Sequence, residues 1–262
     1  MTNAVLETMM RRKSIRRYTD RAPSDELVEA VVRAGLQAPF AAHMGSFLLS
    51  RDRARNPFQA PLLFTVCVDS HRLERVMERR GWTLATNDLT LLLFGIQDAV
   101  LAAENLVVAG ESVGLGSCFL GGAPYRASEI AEEYALPPRV FPVVQLAMGY
   151  PAEDPPTRPR YPLSFTLFED RYPEFSDEDV ERAMRAMDDG YLAQDYYRRG
   201  KYMVPLEGDR AETQTYESYG WTEHMGRKWG QWYPTADALL EQLAARGFRV
   251  PGHCGAGPED GS

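Results

Sequence analysis

Positive charge is concentrated in two short stretches. "RRKSIRRYTD" carries Arg11, Arg12, Lys13, Arg16 and Arg17 within seven positions, and "TRPRYP" holds Arg158 and Arg160 in a proline-stiffened, extended segment. Basic groups at fixed positions are the chemistry of anion binding, and a guanidinium matches a phosphate bidentately. A stiff segment has little ordering entropy left to lose on binding. Two such segments, far apart in sequence, could converge on one phosphate. On charge alone the other reading is the commoner one: solvated side chains tied to some of the 37 acids.

Other candidates are weaker alone. Leu120, Gly121 and Gly122 of "FLGG" allow the backbone to approach a planar ligand, and equally suit an ordinary tight turn. Cys118 reads as a small apolar core residue, since no histidine or base stands beside it. His224 in "GWTEHMGRKWG" has helical neighbours and reads by default as a surface or capping histidine. His43, His71, His224 and His253 have no ligand spacing, and Cys67, Cys118 and Cys254 are odd in number and far apart. No metal or disulfide framework is implied, and a reducing compartment suits the cysteines. There is no Ser-His-Asp signature, no GxxxxGK[ST] loop and no GxGxxG after a strand. A chain without an obvious nucleophile is what one expects when a bound organic cofactor does the chemistry.

The elements that would position these residues follow from pattern. Of 262 residues, 44% are hydrophobic and 25% charged, enough for a real core. The net charge of -8 argues against a nucleic-acid or anionic-membrane partner, so the basic stretch must act locally. Met1 is not followed by a charged-then-apolar signal segment, and a cytoplasmic location is expected. Ser24-Asp25-Glu26 starts a helix through Val28, Val31 and Gly35. "PLLFTVCV" (61 to 68), "SCFLGG" (117 to 122) and "VFPVVQLAMGY" (140 to 150) read as buried strands. Residues 88 to 113 are apolar almost all round, with Gln97-Asp98, Glu104-Asn105 and Glu111-Ser112 seven apart; the pattern predicts a long buried central helix with one narrow polar stripe. In lipid those acids would be costly. Residues 130 to 136, 176 to 191 and 235 to 247 read as further helices, 151 to 162 as irregular, and 198 to 234 as an irregular excursion. The tail 251 to 262 reads as disordered. With no repeat or linker, one α+β domain over 1 to 250 is expected.

The order of "RRKSIRRYTD", "DAVLAAENLVVAGESVGLGSCFLGG" and "MGYPAEDPPTRPRYP" resembles the FMN-dependent nitroreductase family, and "DYYRRGK" and "YGWTEHMGRKWG" are similar to its larger, NADPH-dependent branch. The resemblance covers about residues 8 to 250. It implies a central mixed or antiparallel sheet flanked by helices, an intertwined homodimer centred on the long helix, and FMN at the subunit interface. Hydride would pass from NADPH or NADH through FMN to a small-molecule acceptor. A flavin-binding or flavin-delivering protein of the same fold is the alternative. By resemblance Arg12, Lys13, Ser14 and Arg16 hold the FMN phosphate, ribityl chain and pyrimidine side. Gln59 bonds the ring, Leu120, Gly121 and Gly122 approach it near N5, and Arg158 and Arg160 complete the phosphate site. Arg199, Arg227 and His224 match the NADPH or substrate region. Where the family has hydroxyl-rich residues contacting flavin from the partner chain, this sequence reads "APFAAHMGSF". Pro39, Phe40, Ala41 and His43 then take those positions, which implies a more apolar pocket.

Overall fold

Strand pairing organises the fold. In the computed structural model, which describes residues 3–231 and 236–250, β1 (Gly45–Ser50), β2 (Leu62–Asp69), β3 (Gly116–Leu120) and β4 (Val140–Gly149) form one sheet in the order β1-β2-β4-β3. Every pairing of these strands is antiparallel. β2 lies between two neighbours, and Leu62 to Val68 are buried on both faces, as its unbroken apolar run requires. The register with β4 shifts between Val66 and Cys67, opposite Pro142, which has no N–H to give the ladder.

Helices cover the sheet. α1 (Ala4–Arg11) is capped by Asn3, α2 (Asp25–Gly35) by Ser24 and α3 (Ser70–Arg79) by Asp69; α4 (Asp88–Ser112) is the long helix, α5 (Ala127–Glu133) follows β3, and α9 (Ala236–Ala245) returns near the end. The sequence pattern assigned nothing to α1, β1 or α3. α4 buries Leu91, Leu92, Gly95, Asp98, Ala99, Ala102, Ala103, Leu106, Val107 and Gly110, a three-and-four spacing that makes one face. Small residues let that face close on its neighbours: a Cβ on Gly95 would lie 2.4 Å from Val68 Cγ1. α2 docks beside it, and Val28, Val31, Leu62, Phe64, Leu106, Val107, Leu115, Leu146 and Met148 form the main core. The other face of α4 exposes Leu89, Leu93, Phe94, Ile96, Val100 and Leu101. By length and composition α4 could also cross a membrane, but half of its most apolar window is buried within the fold.

The expected polar stripe on α4 does not hold together. Gln97, Glu104 and Asn105 are exposed and Glu111 is half-buried, but Asp98 turns into the core. Adjacent helical residues point about 100° apart, so a polar pair need not share an environment.

The chain resolves into two compact units, the second beginning at Pro156 and the first resuming at the last helix. The second unit holds α6 (Asp177–Ala193), with a Ser176–Asp179 capping box, α7 (Tyr196–Gly200) and α8 (Trp221–Gln231) around Met187, Tyr191, Tyr197 and Tyr219. The excursion expected to be irregular over 198 to 234 is therefore helical from Trp221 to Gln231. The expected tail, 251 to 262, lies outside the described residues.

Candidate functional site

The first basic stretch leaves α1 and docks on the sheet. Ser14 bridges Ser117 of β3 in parallel sense, and the Ile15 N–H donates to the Ser117 carbonyl at 2.8 Å. Ile15 is buried against Gly116, where a Cβ would lie 2.6 Å from Ile15 Cγ1, so only glycine admits the clamp. Tyr18 donates its hydroxyl to the Ile15 carbonyl at 2.6 Å, and Thr19 N–H reaches the Tyr150 carbonyl at 2.9 Å. Glu153 pins the same stretch by accepting from the amides of Arg16 (2.5 Å) and Arg17 (3.0 Å) and from Arg17 Nε (3.1 Å). Burial raises the Glu153 pKa, but those bonds outweigh it and leave the carboxyl below its usual range.

This sorts the cations. Lys13 pairs with Asp154 and Arg17 with Glu153. Arg12 and Arg16 are half-buried and have no carboxylate partner among the described residues. Two guanidiniums held on a pinned backbone, with no ion pair among the described residues, fit a phosphate. Nearby, Ser117 Oγ and Glu111 Oε1 are buried without hydrogen-bond partners.

Gly121 and Gly122 follow β3, and a Cβ on either would meet nothing within 4 Å. Neither glycine is demanded by the protein's own packing, and the open space beside this backbone suits a flat ring. Gln59 is exposed and held at φ 50, a left-handed conformation unusual for a residue with a side chain. Asn56 builds that turn, its Oδ1 accepting from Phe58 N–H at 3.2 Å and Ala60 N–H at 3.0 Å. Arg53 ties the turn to the basic stretch, donating to the carbonyls of Gln59 (3.2 Å) and Asp20 (2.9 Å). Cys118 is buried and its thiol pKa is raised by that burial, as befits a core residue.

The departing segment has its own brace. The Asp98 carboxylate accepts from the amides of Ala41 (2.6 Å), Ala42 (3.1 Å) and Met44 (2.9 Å). The loop so held presents Pro39, Phe40, Ala41 and His43 at the surface, with the Phe40 and His43 rings edge to face at 4.7 Å. Asp98 was missed from sequence, although a carboxylate inside an apolar helical run is itself a signal.

Within the second unit, Arg158 donates to Gln194 Oε1 at 2.6 Å and lies 4.1 Å above the Tyr196 ring, while Arg160 is exposed and donates to the carbonyls of Arg158 and Pro159. Neither has a carboxylate partner among the described residues. Pro159 between them packs on Gly190, where a Cβ would come within 2.5 Å of the proline ring. Arg199 is exposed and also lacks a carboxylate partner among the described residues. His224 stacks on Tyr197 at 4.6 Å and meets the Tyr219 hydroxyl at 3.1 Å, and burial, aided by the Lys228 charge, lowers its pKa. Arg227, expected with Arg199 at the NADPH or substrate region, lies within α8. Its side chain is 3% exposed and bonds Glu212, Glu223 and the Val204 carbonyl within this unit.

The comparisons with known proteins join this geometry to a family. The model described as the Nitroreductase family matches residues 49–150, which span β2, α4, β3 and β4. A Cr(VI) reductase of Pseudomonas sp. (strain G-1) is 32% identical over 193 residues, covering 71% of this chain and 68% of that protein. The chain belongs to the nitroreductase family. This member of the family is also similar to an FMN reductase (NADPH) of Bacillus subtilis, 26% identical over 227 residues that cover 80% of this chain and 88% of that one. The solved structure of B. megaterium NfrA2 superposes with a TM-score of 0.79 at 25% identity, covering 96% of this chain and all of that one. The matched strands and helix are those that carry the edge on which Ser14 and Ile15 dock and the glycines after β3.

Proposed function

We propose that the protein is an FMN-dependent oxidoreductase that passes hydride from NADPH or NADH to a nitroaromatic, quinone or flavin acceptor in a ping-pong cycle. The observation that carries this reading is the pair Arg12 and Arg16, half-buried and without carboxylate partners, on a stretch fixed to β3 in a nitroreductase-family chain. The names borne by its relatives, FMN reductase and NADPH nitroreductase among them, support the same chemistry. Bound FMN supplies two-electron hydride transfer at its ring.

The chain's residues bind, orient and shield. Arg12, Lys13, Ser14 and Arg16 hold the phosphate and ribityl chain, and Arg158 and Arg160 are further phosphate-binding candidates by the family resemblance. Gln59, on its strained turn, hydrogen-bonds the ring. The backbone from Leu120 to Gly122 would lie along the ring, with no side chain at Gly121 or Gly122 to block it. In such a cycle the oxidised nucleotide would leave before the acceptor enters. Pro39, Phe40, Ala41 and His43 contact the cofactor of the partner chain and make the acceptor pocket apolar. Arg199 faces the 2′-phosphate of NADPH, and His224 lies near the nicotinamide nucleotide; Arg227 braces α8. The exposed apolar face of α4 is the homodimer interface, and the protein works in the cytoplasm. Initial rates with NADPH and a quinone varied together test the cycle. Parallel double-reciprocal lines are expected, and intersecting lines would replace it with a ternary-complex mechanism.

A further inference from the structure

Glu111 stands half-buried in the last turn of α4, where the charges of Arg12, Lys13 and Arg11 act on it, and the phosphate site just described leaves it without a role. Its Oε1 is buried and has no hydrogen-bond partner, and no carboxylate partner is found for Arg12 among the described residues. α1, which delivers Arg11 and Arg12, packs on α4. We propose that Glu111 is a positioning residue that serves as Arg12's counter-charge while the phosphate site is empty and takes up a proton when a phosphate dianion occupies that site. The inference rests on the assignment of Arg12 to the FMN phosphate.

The charges facing Glu111 fix the direction. Burial is the largest influence and raises its pKa; Arg12, Lys13 and Arg11 lower it, Glu104 on the same helix raises it, and the result is about 7. The Tyr18 hydroxyl also senses its charge. The carboxyl therefore sits near half-protonation at neutral pH only because the cations offset part of the burial cost. A bound dianion cancels that offset and adds repulsion. The protonated form is then favoured, so binding takes up a proton, and affinity falls as pH rises through the Glu111 titration. A rise of about one pKa unit corresponds to uptake of about half a proton near pH 7.5 and to about a sevenfold loss of affinity between about pH 6.5 and 9. The second ionisation of the phosphate itself, near pH 6, is common to wild type and variant and cancels in their difference.

The experiment is titration calorimetry of the full-length apoprotein with FMN and with riboflavin, at pH 7.5 in buffers of differing ionisation enthalpy. Fluorescence titrations from pH 6.5 to 9 accompany it. For wild type, uptake of about half a proton with FMN and none with riboflavin is expected. Glu111→Gln is expected to bind FMN without that uptake, with a flatter pH dependence and a tighter affinity at the alkaline end. Equal proton uptake by wild type and Glu111→Gln overturns the proposal. If the variant does not fold, equal uptake with FMN and riboflavin in wild type overturns it. Failure of wild type to bind FMN at any pH overturns instead the cofactor reading beneath it.

Discussion

Replacing Asp98 by alanine tests whether one buried carboxylate holds the 38–44 loop. Three amides lose their acceptor: Ala41, Ala42 and Met44. They are not equivalent. Met44 is 2% exposed, so its N–H is left unsatisfied at about 1–3 kcal/mol. Ala41 is exposed and Ala42 half-buried, so water replaces the acceptor there and each costs about 0.5–1 kcal/mol. Relief from burying a charge offsets part of this, and a net loss of about 2–4 kcal/mol is expected. For a chain of this size that lowers the melting temperature by about 4–16 °C. Asp98→Asn keeps one acceptor oxygen but turns an NH2 toward an N–H, so it should recover no more than about half of the loss. Urea unfolding of the three proteins, with and without FMN, measures it. A stability for Asp98→Ala within about 0.5 kcal/mol of wild type would refute the bracing role, since that is the range of inert surface changes.

Arg199→Ala should lower kcat/KM with NADPH about ten- to a hundredfold and leave NADH unaffected, as expected for one charged contact to the 2′-phosphate; an unchanged NADPH preference would remove Arg199 from that contact. Arg227→Met should instead destabilise the protein by about 2–4 kcal/mol, because Glu212 and Glu223 lose their shared partner, with an unchanged NADPH-to-NADH ratio. His224 has a folded pKa below its unfolded value, so the folded state binds fewer protons and stability should fall as pH drops below about 6.5. His224→Phe should flatten that slope, and an identical slope in the variant would assign it to another group. Leu93→Asp with Val100→Asp, one heptad apart on the exposed face of α4, should yield a monomer by light scattering where wild type is a dimer; a monomeric wild type with FMN bound would exclude α4 as an interface.

Much of the fold was readable because the governing patterns are local. β2, β3 and β4 appear as apolar runs, and α2 and α6 announce themselves by Ser24 and Ser176 before acidic first turns. The elements that escaped are short or lack periodicity. α1 has eight residues, too few to stand out from helix propensity, and α3, "SHRLERVMER", is charged along most of its length. β1 is a six-residue strand whose place is set by pairing with β2, a non-local event. At the site, residue types suggested phosphate, but charge alone could not separate Arg12 and Arg16 from Lys13 and Arg17. Only tertiary placement of Asp154 and Glu153 does that. The same holds for Arg227: a basic residue in a helix gives no hint that Glu212, fifteen positions earlier, folds back onto it.

The account turns on whether FMN is held by the stretch from Arg12 to Arg16. Anaerobic titration of the apoprotein with FMN, followed by addition of NADPH, tests this most directly. Wild type should bind FMN stoichiometrically and lose its flavin absorbance on adding NADPH, while Arg16→Ala should bind FMN at least about tenfold more weakly, the loss of one charge-assisted bond to phosphate. An unchanged FMN affinity in both Arg16→Ala and Arg12→Ala, with the fold intact, would contradict it.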